Sequence, residues 1–110
     1  MQISGDLKGN AFVVTLQGRI DMESSNEFNK TMECYLEGNF TPFIINCKGL
    51  EYINSTGLSG LISLSQMLDR FQLKLSLCEL QPAVMEVIEI AGMSNHFNIY
   101  PTEQAALESL

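Results

Sequence analysis

Four small or polar residues stand where an apolar, strand-like run gives way to a helical pattern: Asn54, Ser55, Thr56 and Gly57. The first turn of a helix has unpaired backbone N–H groups, and the helix dipole adds positive potential there. A phosphate on a hydroxyl at such a junction would be held in place, and it would add about −1.5 to −2 charges to the surface. We therefore interpret Ser55 as a regulatory hydroxyl that gains and loses a phosphate.

The same junction has a simpler interpretation, in which its polar side chains cap the helix. Asn54 or Ser55 would take the N-cap position and accept a hydrogen bond from a backbone N–H group, which contributes about 1 kcal/mol. On the local pattern alone, capping is the more economical explanation. A regulatory role for Ser55 therefore needs support from the rest of the chain.

Other groups that could do chemistry are sparse. The chain has one histidine, His96, in a predicted helix-to-strand turn, and the sequence suggests no nucleophile for it to serve as a general base. The segment STGLSG lacks the lysine and the spacing of a P-loop, and no G-x-S-x-G elbow is present. The cysteines, Cys34, Cys47 and Cys78, have no C-x-x-C spacing. We therefore expect no metal site, no cofactor and no enzyme activity.

Length and charge set further bounds. The 110 residues suit one domain over 1–110. Six Lys and Arg residues against thirteen Asp and Glu residues give a net charge of −7, which argues against nucleic acid and against anionic membrane surfaces as partners. No apolar run approaches the ~20 residues that span a bilayer, and the first residues lack the pattern of a secretory signal. The three cysteines are an odd number without C-x-x-C spacing, so they indicate no disulfide framework, and we expect the protein to lie in the reducing cytoplasm.

The elements that position the junction follow from the hydrophobic pattern. We predict strands over 2–7 and 11–17, joined in a hairpin at Gly9 and Asn10, then a helix from 21–25 to about 38 and a strand over 41–47, with 49–52 leading on to the junction. A helix from 57 to 68 follows, with the helical stripe Leu58, Leu61, Ile62, Ser65 and Leu68. The chain continues with a strand over 73–77, a helix over 82–92, a strand over 97–100 and a last helix from 102. This order predicts an α/β fold with a mixed sheet of four to five strands, a leading β-hairpin and about four helices. Ser24 and Glu27 have the spacing of a capping box for the first helix.

Nearly the whole chain, in order, resembles the STAS domain family, and within it the bacterial anti-sigma factor antagonists (anti-anti-sigma factors) of sporulation and general-stress control. LQGRID at 16–21 is similar to the L-x-G-x-[IL]-D turn after the second strand. FIINCKGLEYINSTGLSGLISL at 43–64 is similar to the strand, turn and D-S-[ST]-G-L helix start. LCELQPAVMEVIEIAGMSNHFNIYPTEQAAL at 77–107 is similar to the family's S-P-x-V…G…F-x-I-[FY]-x-[ST]-x-x-x-A-L tail.

The resemblance implies site residues by position. Ser55 matches the family's phosphorylated serine, and Thr56 is the less favoured neighbouring hydroxyl. The implied partner-binding residues are Asp21, Asn54, Ser55, Thr56, Gly57 and Leu58. Asn54 is a departure, because the family usually has aspartate there. Asparagine keeps the size and the capping role but loses the charge, so the substitution could alter the phosphorylation rate or mark a branch that binds without being phosphorylated.

The resemblance also implies a partner-switching function. The unphosphorylated protein would bind an anti-sigma factor that is itself a GHKL-type serine kinase, and so free a sigma factor. The kinase would inactivate the protein at Ser55, and a PP2C-type phosphatase would restore it. One alternative is a STAS scaffold or accessory subunit, stressosome-like or associated with an ABC transporter, that binds without switching. Another is a small enzyme or ligand-binding domain.

Overall fold

A computed structural model of the chain describes residues 1–38, 40–92, 95 and 97–110. Its elements, in chain order, are β1 (Gln2–Lys8), β2 (Ala11–Ile20), α1 (Ser25–Gly38), β3 (Phe43–Ile53), α2 (Ser55–Asp69), β4 (Leu75–Cys78), α3 (Pro82–Ile90), β5 (Asn98–Tyr100) and α4 (Glu103–Glu108). The predicted order of strands and helices is confirmed. His96 lies outside the described residues.

The strands form one mixed sheet in the order β1-β2-β3-β4-β5. β1 and β2 pair antiparallel across the predicted hairpin, where Gly9 has the positive φ of 58° that suits a tight turn. The pairs β2–β3, β3–β4 and β4–β5 are parallel. Because parallel strands end at the same edge, the chain segments that follow β2 and β3 emerge side by side.

Two strands are longer than the sequence predicted. β2 continues past Gly18 to Ile20, and β3 continues past residues 49–52 to Ile53. Gly18 and Gly49 lie just beyond the strands predicted over 11–17 and 41–47, but the β2–β3 pairing runs through both, with register shifts beside them. Gly49 lies so close to β2 that a Cβ atom there would stand 2.8 Å from the Leu16 carbonyl oxygen. Glycine therefore permits a close strand approach at this position instead of ending the strand.

Alternating side chains of the sheet build two apolar layers. One set joins buried residues of α1, α2 and α3, and the other packs with Ala106 of α4. The first set is the larger and includes Leu16, Ile20, Phe28, Met32, Phe43, Ile45, Ile53, Leu61, Leu64, Leu68, Val84 and Ile88. Each such fully buried Leu, Ile or Phe side chain contributes roughly 1.5–3 kcal/mol relative to exposure. The fold therefore rests chiefly on the layer that holds α2 against the sheet.

The buried face of α2 differs in part from its predicted stripe. Leu58, Leu61 and Leu68 are buried as expected, and Leu64 is the fourth buried leucine. Ile62 is partly buried and packs against the main core, and Ser65 is partly buried at the margin of this face. The helix also begins earlier than residue 57, at Ser55.

Within the described part of the chain, no helix has the length and apolar character that crossing a bilayer requires.

A polar network fastens α4 to the sheet. Asn46, 9% exposed, donates through Nδ2 to Glu103 Oε1 at 3.0 Å and to Glu79 Oε2 at 3.3 Å. Its Oδ1 accepts from the Lys48 backbone N–H group at 2.9 Å. Glu103 Oε2 also accepts from Lys8 Nζ at 3.0 Å. The hydrogen bond from Asn46, followed by that from Lys8, lowers the pKa of Glu103 against the opposing effect of burial.

We expect Asn46→Ala to lower the free energy of unfolding by about 1–3 kcal/mol, since it leaves polar groups of this network without their partner. Urea denaturation followed by circular dichroism measures the loss. Lys8→Ala is the matched control, because it removes a half-exposed ion pair of the same network, which is worth about 0–1 kcal/mol. An equal loss of unfolding free energy in the two variants would contradict the conclusion that the hydrogen bonds of Asn46 stabilise this network more than the ion pair of Lys8 does.

Candidate functional site

The candidate site is built on the paired ends of β2 and β3. Ile20 lies opposite Ile53 in the parallel register, and the Asn54 backbone N–H group donates to the Ile20 carbonyl oxygen at 3.0 Å. Asp21 and Asn54 directly follow these paired residues. The two segments that the sequence placed in one site are therefore neighbours at one edge of the sheet.

Asn54 is the N-cap of α2. Its backbone is extended, with φ −101° and ψ −178°, and its Oδ1 accepts from the Gly57 N–H group at 2.9 Å. Its carbonyl oxygen accepts the first helical hydrogen bond, from Leu58 N–H at 2.9 Å. The choice between Asn54 and Ser55 as the capping residue is thus resolved in favour of Asn54.

Ser55 and Thr56 occupy the first two helical positions, and both are exposed. Because the Asn54 amide caps the helix, the Ser55 hydroxyl is not needed for capping. Across the described residues, the backbone N–H groups of Ser55 and Thr56 donate to no protein acceptor. These two N–H groups lie at the positive end of a 15-residue helix, which is favourable for an anion.

Gly57 and Leu58 are buried beneath the exposed hydroxyls. A Cβ atom on Gly57 would collide with the side chain of Ile20 and would stand 3.0 Å from that of Ile53. Leu58 is 4% exposed and belongs to the main core. The structure therefore gives these two residues a positioning role, and a direct contact with a partner remains a prediction for them.

Asp21 is engaged with the turn that leads into α1. Its Oδ1 accepts from the N–H groups of Glu23 at 3.0 Å and Ser24 at 3.1 Å. Ser24 Oγ in turn accepts from the Asp21 N–H group at 3.0 Å and donates to the Arg19 carbonyl oxygen at 2.6 Å. The Ser24 N–H group is the main cause of a lowered pKa at Asp21. Asp21 therefore carries a negative charge at neutral pH beside the start of α2.

This pairing replaces the capping box predicted for Ser24 and Glu27. Ser24 Oγ accepts from the Asp21 N–H group instead of from a helical N–H group, Asp21 Oδ1 accepts from the Ser24 N–H group, and Glu27 is exposed. The prediction was wrong because both carboxylates have suitable spacing. Asp21 reaches the Ser24 N–H group from the end of a fixed strand, which costs less conformational entropy than folding back a helical glutamate.

Three side chains beside the site were not singled out from the sequence. Met22 is 77% exposed and Tyr52 is 41% exposed, and the Arg19 guanidinium lies 4.9 Å from the centroid of the Tyr52 ring. Exposed Met, Tyr and Arg are residue types that interfaces use as anchors. Tyr52 directly precedes buried Ile53 in β3, so the two side chains point to opposite faces of the sheet. The outward orientation of the Tyr52 side chain could not be predicted from the sequence, because the strand predicted over 41–47 ended before residue 52.

A shallow groove leads away from the site between α1 and α2. Gly60 of α2 lies against Asn29 of α1, where a Cβ atom would collide with Asn29 Oδ1. The groove has a volume of about 270 Å³ and includes Thr56, Ser59 and Ser63 along its α2 wall. The exposed hydroxyl row of α2 is therefore continuous with the candidate site.

The STAS domain family model matches residues 2–106, and the chain belongs to this family. BtrV of Bordetella bronchiseptica is 26% identical over 106 residues, which cover 96% of this chain and 91% of BtrV. The anti-sigma F factor antagonist of Paenibacillus polymyxa is 22% identical over 111 residues, covering 100% of this chain and 95% of that protein. The family recognised from the three sequence motifs is confirmed.

Solved structures agree with the fold. The anti-sigma factor antagonist SpoIIAA in its unphosphorylated form superposes with a TM-score of 0.83 at 16% identity, covering 98% of this chain and 95% of that chain. Its phosphorylated form, from Bacillus, superposes with a TM-score of 0.74 at 17% identity, covering 98% of each chain. The predicted α/β architecture is thereby confirmed, whereas the roles of the site residues stay predictions.

We expect Asn54→Ala to lower the free energy of unfolding by about 1 kcal/mol, because the Gly57 N–H group loses its acceptor. Asn54→Asp is the matched control. It keeps an acceptor and adds a charge that the helix dipole favours, so its stability should equal or exceed that of the parent. Urea denaturation of all three proteins checks the order. An alanine variant as stable as the parent would contradict the cap.

We expect Gly57→Ala to cost about 1–3 kcal/mol, because its methyl group would push α2 away from Ile20 and Ile53. Gly38→Ala is the control at the last residue of α1. Its Cβ would meet open space, so the free energy of unfolding should stay constant or rise by roughly 0.4–1 kcal/mol. Similar melting temperatures for the two variants would rule out the close approach at Gly57.

Proposed function

We propose that the chain is an anti-sigma factor antagonist in a partner-switching system, acting in the cytoplasm. In the unphosphorylated state it would bind an anti-sigma factor that is a GHKL-type serine kinase, and so release a sigma factor. The observation that carries the proposal is Ser55, an exposed hydroxyl in the first turn of α2 with unpaired backbone N–H groups beside it. The full-length similarity to the Paenibacillus antagonist supports it.

The unphosphorylated docking surface would combine polar and apolar groups. Asn54, Ser55 and Thr56 are uncharged, and Met22 and Tyr52 supply exposed apolar area on the neighbouring segments. Burying uncharged hydroxyls and amides against a partner is inexpensive when they find hydrogen bonds there. The rim carries acidic residues, including Glu23, Glu27 and Glu51, that line the cleft beside Asp21. A partner surface with basic groups around a polar centre would match this pattern.

The switching step is phosphoryl transfer to Ser55. The Oγ atom would form a bond to the γ-phosphorus of ATP while the bond from that phosphorus to the β,γ-bridging oxygen breaks, and ADP would leave. The hydroxyl proton would pass to a base on the kinase. ATP and the metal ions belong to the kinase. The new phosphate would meet the N–H groups at the start of α2, which favour its charge.

The phosphate would change partner affinity by adding bulk and charge in the centre of the docking surface. An uncharged hydroxyl would become a group of about −1.5 to −2 charges close to ionised Asp21. A useful switch needs a change of about 1–3 kcal/mol, which is about 5- to 150-fold in affinity. A desolvated, unmatched charge in an interface can supply a change of that size.

Reversal of the switch would fall to a PP2C-type phosphatase, which hydrolyses the phosphoserine and restores the hydroxyl. SpoIIAA, whose fold this chain shares, has been solved in both phosphorylated and unphosphorylated forms. Ser55 is exposed at the edge of the sheet, so a phosphatase would reach it without unfolding α2. The protein would act as a substrate and a binding partner in this cycle.

We expect incubation with ATP and its cognate kinase to add one phosphate to Ser55, as mapped by mass spectrometry. The candidates to test are the serine kinases encoded near the gene. Ser55→Ala should stay unmodified and bind the kinase persistently, whereas Ser55→Asp should bind at least about 5-fold more weakly. Titration calorimetry with each purified kinase measures these affinities.

Thr56→Ala is the control for this experiment, because it removes the neighbouring exposed hydroxyl and should still be phosphorylated at Ser55. Phosphate on Thr56 in the parent would move the switch by one residue. Kinase binding that is equal for parent, Ser55→Ala and Ser55→Asp would refute a phosphoswitch at this position. Such binding within an assembly of very high mass would favour the scaffold function instead.

A further inference from the structure

An exposed pair of aromatic rings lies at the other end of α2 from Ser55. Phe40 is 69% exposed and Phe71 is 61% exposed. Their ring centroids are 5.4 Å apart, with the rings edge to face at an interplanar angle of 71°. Edge-to-face contact orders both rings while much of their apolar surface stays in water. Contiguous exposed apolar surface of this kind marks interaction sites.

The two rings border a cleft between the C-terminal ends of α1 and α2. The cleft has a volume of about 310 Å³, and Leu36, Met67 and Leu73 line it as partly buried apolar side chains. We call the surface formed by Leu36, Glu37, Phe40, Met67, Arg70 and Phe71 the aromatic patch. The aromatic patch combines the projecting rings of Phe40 and Phe71 with the apolar cleft beside them, so two such surfaces can fit into each other.

The charges of the aromatic patch are balanced. Glu37 and Arg70 both line the cleft and are both exposed. Within the described residues neither of them forms an ion pair. The chain as a whole has a net charge of −7, so two copies repel one another over most of their surface. The aromatic patch is a region where that repulsion is locally cancelled.

We propose that the aromatic patch is the interface of a homodimer with twofold symmetry. In such an interface the same surface faces itself, so Glu37 of one copy can lie against Arg70 of the other, twice. The rings of Phe40 and Phe71 then enter the recess of the opposite copy. One acid, one base, a projecting ring pair and a recess make this surface complementary to itself, which favours a second copy over an unrelated partner.

The dimer leaves the candidate phosphorylation site free. α2 has 15 residues, and at a rise of about 1.5 Å per residue its ends are roughly 20 Å apart. Ser55 is at the first end and Phe71 follows the second. The homodimer would therefore present two exposed Ser55 sites, and its formation does not depend on whether Ser55 is phosphorylated.

Sedimentation velocity on the parent protein, from about 1 μM to about 1 mM, tests the proposal. We expect the mass to rise from 12.2 kDa to twice that value with concentration. Phe71→Ser should stay monomeric through the same range, with an unchanged circular dichroism spectrum. Ile90→Ser is the matched control, since Ile90 is 77% exposed but lies on α3, and it should dimerise like the parent. A parent that is monomeric throughout, or a Phe71→Ser variant that dimerises normally, would overturn the proposal.

A charge-swap experiment tests the twofold pairing itself. Glu37→Arg places two arginines opposite each other and Arg70→Glu places two glutamates opposite each other, so each variant alone should dimerise at least about 10-fold more weakly. An equimolar mixture of the two should form a heterodimer with near-parental affinity, because both contacts become complementary again. Native mass spectrometry with one variant isotopically labelled reads this out. Two variants that dimerise like the parent, or a mixture that does not recover, would exclude this interface.

Discussion

The close approach of the start of α2 to the paired ends of β2 and β3 is the constraint on which the site depends. The hydrogen bond from the Asn54 N–H group to the Ile20 carbonyl oxygen joins the two strand ends. Gly57 then allows the helix to lie on Ile20 and Ile53 without an intervening side chain. Because these contacts set the first turn of the helix, the side chains of Ser55 and Thr56 point into solvent.

The sequence predicted the elements well because their periodicities are strong, but it placed the strand ends poorly. The predicted strands over 11–17 and 41–47 stopped short of Gly18 and Gly49, and glycine does weaken isolated strands. In the sheet both glycines lie where the β2–β3 pairing is irregular, and a side chain at Gly49 would meet the neighbouring backbone. Whether a glycine ends a strand or permits a close approach depends on its neighbour in space, which one sequence does not specify.

The same limit explains the first-helix cap. Asp21 and Glu27 are both three residues from Ser24, so local spacing could not select between them. The length of β2 selects Asp21 as the partner of Ser24, because the strand continues to Ile20 and so holds Asp21 in an ordered position beside Asn54. The predicted partner of Ser24 therefore depended on where β2 ends. Because the predicted strand stopped at residue 17, Asp21 was not recognised as that partner.

The sequence left capping and switching as competing explanations of one junction, and the structure assigns the capping to Asn54 and not to Ser55. If Ser55 were the N-cap, its Oγ atom would be engaged with a backbone N–H group, and a kinase would have to displace that hydrogen bond to reach the hydroxyl. Asn54 takes that role through its Oδ1 atom and leaves the Ser55 hydroxyl available. The uncharged cap has a second consequence, because an aspartate at residue 54 would place a fixed charge beside the incoming phosphate. Asn54 thus supplies the capping hydrogen bond without that repulsion, which makes the proposed modification of Ser55 compatible with a stable helix start.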